Sequence, residues 1–418
     1  MRRSLPILFS LLVLAAIVAA ACSSDGGDDG APTDTPPPAD SGDTGTPPPA
    51  DNGDTGADGD SLAATISAAW NASVVGTGIK PALALDGDGT PAIAYLFEDV
   101  SEGFVKFASA FDGWDAKTII EGYFYGPLDL AFDPDGRPNI VYHDHQDSSF
   151  QQNLGDLTYA VRTTLGWQVA AVVDDGHDGW DSTIAIAADG VVRAAGVDPS
   201  QFGSTDGIEY YELQDGVWAV TAIGSGPTEY EFNVSLAVNA DGQPALSYYN
   251  DREGDLIFAS FDGSAWSLET VASEGDVGKF SSLQFDGEGR PHITFYEELS
   301  GSTGRVLYAV RDAGSWSVEE IGTLDDVQLG MTGARRNTSL ALDADGVPHV
   351  AFSDQSGVSY ATRTDGAWDV SDVATAGDRP FGQLVSLKVD AAGVPHLAFT
   401  ELTQGGPLNG LIVYATLG

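Results

Sequence analysis

The sequence predicts an all-β fold built from one four-stranded antiparallel unit used many times. Three observations carry that prediction. Seven tryptophans (Trp70, Trp114, Trp167, Trp218, Trp266, Trp316 and Trp368) recur at intervals of 44 to 53 residues. Seven turns ending in glycine recur with them, at Gly89, Gly136, Gly190, Gly242, Gly289, Gly346 and Gly393. A third column is aromatic in every copy: Phe107, Tyr159, Tyr210, Phe258, Tyr308, Tyr360 and Tyr414. One copy, Ser339 to Val373, shows the plan: SLAL, the turn DADG, HVAF, a loop, VSYATR, the turn TDG, then WDVSDV. Short runs rich in β-branched and aromatic residues, bounded by Gly and Asp, read as strands joined by tight turns.

A period near 50 residues with four strands is that of a β-propeller blade. The chain ends predict how such a ring closes. Trp70 precedes any complete unit, and the last unit stops after its third strand without a tryptophan. The N-terminal segment is therefore expected to supply the fourth strand of the last blade, giving seven blades and no open sheet edge at the junction. In the first strand, large columns flank a small one: Ala82, Asp129, Thr183, Ser235, Ser282, Ser339 and Ser386. That alternation lets successive sheets nest.

Three segments follow in order. Residues 1–21 read as an export signal, with Arg2 and Arg3 before an apolar run and Ala19-Ala20-Ala21 as a small-residue cleavage site. The lone cysteine, Cys22, comes next, so no intramolecular disulfide is available. The arrangement resembles the bacterial lipoprotein signal. It implies diacylation of Cys22 and a place on the outer membrane or cell surface, although Ala19 stands where that signal usually carries Leu. Residues 22–60 hold ten Asp and no Lys or Arg, and TPPPADSGDTG repeats as TPPPADNGDTG. Such a composition cannot bury a core and acts as a tether. Residues 61–418 form the propeller.

The whole chain carries a formal charge of −44. That charge excludes nucleic acid and anionic headgroups as partners. Membrane contact is expected only through the lipid anchor, and the protein is expected to be a monomer.

Two rims could carry chemistry. The tight first turns (LDGDG, FDPDG, VNADG, FDGEG, LDADG) resemble the calcium loops of integrin-type propeller repeats, so Ca2+ is the cofactor that resemblance implies. Those loops carry a further Asp three residues after the Gly; here that position holds Ala92, Asn139, Arg193, Ala245, His292, His349 or His396. The competing reading is a hairpin in which Asp caps the turn and the histidines pack.

On the loop-rich rim, the residue eight past each turn glycine is Phe97, Asp144, Asp198, Asn250, Glu297, Asp354 or Glu401. This column reads either as a ring for a cation or polyhydroxyl ligand, or as side chains accepting backbone N–H groups at strand ends. His143, Asp144, His145 and, on the next loop, His177 form a weaker candidate metal set. Tyr125, Trp180 and Tyr296, with Arg335 and Arg336, complete a rim composition suited to sugars.

The units resemble, at fold level, the sialidase-like and propeller-lectin superfamily. The resemblance implies a module that binds carbohydrate or a protein partner in the cell envelope. The alternatives are a glycan-cleaving hydrolase using rim carboxylates such as Glu297 and Asp354, and a non-catalytic envelope scaffold. No catalytic residue is assigned. The sequence contains no P-loop, nucleophile elbow or dinucleotide motif.

Overall fold

The computed structural model describes residues 62–98, 103–144, 155–173, 179–198, 207–225, 234–300, 303–324, 338–354, 356–377, 381–403 and 410–418. The export signal, Cys22 and the tether lie outside them. The described residues are all-β, apart from one 3-10 turn at Ala110–Asp112.

The strands form six antiparallel sheets. Four are four-stranded meanders. These comprise Phe124–Phe132, Pro138–Asp144, Asp156–Thr163 and Gly166–Ala171; Trp180–Ile186, Val192–Asp198, Gly207–Gln214 and Val217–Ser225; Ser235–Val238, Pro244–Asn250, Asp255–Phe261 and Trp266–Ala272; and Asp276–Phe285, Pro291–Ser300, Thr303–Asp312 and Ser315–Leu324. A fifth sheet contains Thr338–Leu342, Pro348–Ser353, Gly357–Thr364 and Ala367–Thr375. It gains a short outer strand, Thr65–Ile66, paired with Thr375 and Ala374. That addition has no counterpart in the repeat pattern.

The sixth sheet has seven strands, in the order Phe381–Val389, Pro395–Leu402, Gly410–Leu417, Trp70–Leu85, Pro91–Glu98, Gly103–Ser109 and Lys117–Gly122. Its 16-residue strand Trp70–Leu85 serves two neighbours. Residues 70–78 pair with Gly410–Leu417, from Trp70↔Leu417 to Gly78↔Gly410; Ile79–Leu85 pair with Leu96–Pro91. The two halves meet at a bulge in which Lys80 takes φ +56°. Asp181, Phe280 and Leu384 occupy the same repeat position and also have positive φ, each beside a register shift. A left-handed non-glycine residue costs on the order of 1–3 kcal/mol, so four repetitions mark a bend the fold requires where each first strand begins.

The glycine turns behave as the sequence predicts. All seven glycines have φ between +73° and +80°. Each donates its N–H to the carbonyl three residues back, as in Gly89 N to Asp86 O at 3.0 Å. In six turns the side-chain Oδ1 of the opening Asp or Asn accepts two further amides. Asp86 takes those of Asp88 and Thr90 at 3.0 and 2.8 Å; Asp390 takes those of Ala392 and Val394 at 2.9 and 2.8 Å. This is why Asp, and once Asn239, opens the turn.

Packing between units follows two rules. Each of the seven repeat tryptophans lies against the third-strand aromatic of another unit: Trp70–Tyr360, Trp114–Tyr414, Trp167–Phe107, Trp218–Tyr159, Trp266–Tyr210, Trp316–Phe258 and Trp368–Tyr308. Ring centroids are 5.0–5.5 Å apart, mostly edge-on. The small column supplies the second rule. Ser386 Oγ accepts the Leu83 amide, Ser235 that of Leu283, Ser282 that of Leu340 and Ser339 that of Leu387, at 2.9–3.1 Å. Asp129 Oδ2 does the same for Ile184 at 3.0 Å. Ala82 has no acceptor to offer Leu130, and Asp129 Oδ1 takes that amide at 2.8 Å. The small column is thus a hydrogen-bonded seam as well as a space-saving one. Between these contacts lie fully buried first- and second-strand residues such as Leu83, Ile93, Ile140, Leu283, Ile293, Val350 and Leu397.

Candidate ligand site

The rim column falls where the repeat places it, at second-strand ends, but the chain itself engages much of it. Asp354 Oδ1 accepts the Ser356 and Gly357 amides at 2.8 and 3.0 Å and the Ser356 hydroxyl at 2.5 Å. Asn250 Oδ1 accepts the Arg252 amide at 3.2 Å. Glu401 is fully buried and holds the amides of Ala63 and Ala64 at 2.6–3.2 Å. Glu297 is 5% exposed and bound by Arg305, whose Nε lies 2.8 Å from Oε2. Asp144 and Asp198 are half-buried. Of the two readings of this column, Asn250, Asp354 and Glu401 match the acceptor of strand-end amides, and Glu297 is held by Arg305.

Two rim aromatics differ from expectation in exposure. Trp180 is 5% exposed and stacks on His143, with ring centroids 4.8 Å apart. Tyr296 is 1% exposed and packs near Phe280 at 6.5 Å. Both fill space between sheets, because their columns point at a neighbouring sheet and not at solvent. His143 is 1% exposed. His145, His177, Arg335, Arg336 and the Tyr125 side chain lie outside the described residues. Among the described residues no three His, Cys, Asp or Glu side chains cluster as metal ligands would.

On the tight-turn rim, the turn carboxylates lead into three relays. His292 Nε2 meets Asp286 Oδ2 at 3.0 Å, and its Nδ1 meets the Tyr308 hydroxyl. His349 Nδ1 lies 2.5 Å from Tyr360 Oη, with Asp343 at 3.6 Å. His396 Nδ1 lies 2.5 Å from Tyr414 Oη, with Asp390 at 3.4 Å. At His292 and His396 a neutral imidazole protonated on Nε2 satisfies both neighbours, since the tyrosine donates to Nδ1, whereas His349 Nε2 has no partner within hydrogen-bond distance among the described residues. Burial pushes the His292 and His349 pKa values down, outweighing the nearby carboxylates. Burial also pushes the Tyr308 and Tyr360 phenols up, Tyr360 to about 12. These relays are packing elements; their carboxylates are occupied by turn amides and imidazoles rather than arranged as a calcium cage.

A different place offers space. A cavity of about 480 Å3 is lined by first-strand residues from all seven sequence repeats, from Pro81 to Val389. Its wall is mostly apolar, but it carries a set of hydroxyls, Ser182, Ser235, Ser282, Ser339 and Ser386 with Thr183 and Thr338, beside Asp129, Asp181 and Lys388. Ser182 is 3% exposed, and its Oγ has no hydrogen-bond partner among the described residues. The hydroxyls of Ser235, Ser282, Ser339 and Ser386 accept amides across the seams but donate to no acceptor among those residues. Asp129, the carboxylate beside them, is taken up by Leu130, Thr183 and Ile184. The wall therefore presents O–H donors to whatever enters. The column was read from the sequence as structural only; its signal was the persistence of Ser and Thr where Ala would pack equally well.

No protein-family model matches the chain, and no curated protein matches it. Solved structures do match. The chain is similar to an α-L-arabinofuranosidase of Fusarium graminearum solved with arabinobiose, at 14% identity over 70% of this chain and 96% of that chain, TM-score 0.49. It is similar to the SapL1 lectin solved with α-methyl fucoside, at 12% identity over 72% and 98%, TM-score 0.48. A protein of unknown function from Dyadobacter fermentans gives 12% identity over 82% and 98%, TM-score 0.45. Likeness at this level extends to fold alone.

Proposed function

We propose that this protein is an exported, lipid-anchored binding module: a seven-bladed propeller, closed by its N-terminal strand, that takes a polyhydroxylated carbohydrate at the axial cavity. The seven-stranded sheet reads as two blades sharing the strand Trp70–Leu85. A ring of seven is supported by the seven tryptophan–aromatic contacts and by a cavity to which all seven repeats contribute. Anchoring at Cys22 and an envelope location rest on the sequence alone. The observation that carries the ligand class is the buried Ser182 hydroxyl, which has no partner among the described residues, beside seam hydroxyls that accept an amide and can still donate. A buried hydroxyl without a partner is costly, and an oxygen-rich ligand offers it an acceptor.

The test is a glycan array probed with the full-length protein, with calcium and with chelator. Saturable binding to one glycan class in both buffers is expected, because the turn carboxylates are engaged by the chain. Ser182→Val is expected to weaken that binding about tenfold, the worth of one good hydrogen bond. A blank array overturns the carbohydrate reading, and binding indifferent to Ser182→Val removes it from the cavity.

A further inference from the structure

We propose that the outer edges formed by Gly166–Ala171 and Val217–Ser225 are a docking surface for an extended segment of a partner protein, which adds antiparallel as a further strand. Both are terminal strands of their sheets. The sheets are neighbours, since Trp218 packs on Tyr159.

Sequence sets these two edges apart. They read GWQVAA and VWAVTAIGS, with no charged residue. Of the other outer strands only the half-strand 70–78 is also uncharged, and it stands apart from these two; the rest carry Lys117 and Glu121, Glu269, Glu319 and Glu320, and Asp369 and Asp372. Charge on an edge strand is the usual guard against pairing with another chain. In a protein of net charge −44, two adjacent unguarded edges stand out. They also expose apolar side chains: Val217 is 70% exposed, and Val169 and Val220 each 47%, with Leu165 in the turn before the first edge 90% exposed.

The occupant follows from two further facts. First, the fold already seats a strand this way, because Thr65–Ile66 pairs outside Ala367–Thr375. An outer strand of this repeat therefore accepts an antiparallel addition. Main-chain hydrogen bonds supply the affinity of such an addition, and alternate side chains supply its selectivity. Second, the charge favours a foreign segment over a second copy. Self-pairing would bring two strongly acidic chains, each of charge −44, together across edges of six and nine residues. The fitting segment is uncharged and alternating where it pairs, with Lys or Arg at its ends.

The probe is the peptide Lys-Lys-Thr-Val-Thr-Val-Thr-Val-Lys-Lys, titrated against the full-length protein by fluorescence anisotropy. A control peptide of equal charge carries proline at its centre. Saturable binding of the first peptide only is expected, with slowed amide exchange in one or both edges. Val169→Lys with Val220→Lys is expected to weaken it at least tenfold. Leu268→Lys, on a neighbouring outer strand and 51% exposed, is expected to leave it unchanged. The proposal is overturned by equal binding of the proline peptide, by no binding, or by equal loss in Leu268→Lys. A dimer in sedimentation that the double variant dissolves would assign the edges to a second copy and overturn it too.

Discussion

Trp70→Ala is expected to destabilise the folded protein by about 3–5 kcal/mol, the range for truncating a buried Trp or Phe. Trp70 is 5% exposed and lies in one apolar cluster with Val358, Val373, Leu397 and Val413. Its ring meets Tyr360 edge-on at 5.4 Å, and its backbone heads the pairing with Gly410–Leu417. Two losses therefore coincide. A cavity opens between sheets, and the N-terminal strand loses the side chain that fixes it beside the C-terminal one. Trp316, at the equivalent position of another unit, is only half-buried and joins strands close in sequence. Trp316→Ala is expected to cost less, and Trp70→Phe to recover much of the loss. Urea midpoints of the three variants check this. Equal midpoints for Trp70→Ala and Trp316→Ala would mean the terminal strand contributes nothing beyond an ordinary unit.

Much of the fold was legible because repetition averages out local ambiguity. A single SLAL or HVAF says little, but seven copies in register fix strand order, turn positions and which residues are large. The turn glycines, the opening Asp and the aromatic column all fall where the spacing put them. What escaped was the pairing between columns. Nothing in one sequence says that the Trp of one unit meets the aromatic of another, or that His292 sits between Asp286 and Tyr308, since those contacts join positions 6 to 300 residues apart. The rim stayed open between two readings for a related reason. A strand-end acid has the same spacing whether it faces solvent or, like Glu401, turns inward to hold the amides of Ala63 and Ala64. The cavity wall was passed over because small residues in a first strand have a sufficient packing explanation. Their spare O–H groups become visible only once their acceptors can be counted.

Asp286→Ala is expected to cost a similar amount, about 3–5 kcal/mol, as removal of one partner from a buried ionic and hydrogen-bonded group does. Its carboxylate is completely buried. Oδ1 holds the Glu288 and Arg290 amides at 3.1 and 2.8 Å; Oδ2 holds Arg290 Nε at 2.6 Å and His292 Nε2 at 3.0 Å. Alanine leaves the imidazole and two turn amides without their acceptor. Asp343→Ala is expected to cost less, since that carboxylate is 19% exposed and stands 3.6 Å from His349. One unit has made such a change already: Ala187 opens its turn, and Asp189 compensates by taking the Val191 amide and the Arg193 guanidinium. The cost should depend on pH in a defined direction. Burial alone would raise the Asp286 carboxyl, but His292, the Arg290 amide and its guanidinium bring it below the ordinary 3.8. Its stabilisation is then present in full above 3.8 and lost as pH falls through the lower folded value. His292 is depressed from 6.5, so it too favours folding above 6.5 and withdraws that support as the solution acidifies. Urea unfolding of wild type and Asp286→Ala between pH 7 and pH 3 should show a gap that is present at neutral pH and closes as pH falls below 3.8. A gap that persists unchanged at pH 3 would mean the alanine acts by cavity formation, with the carboxylate's charge playing no part.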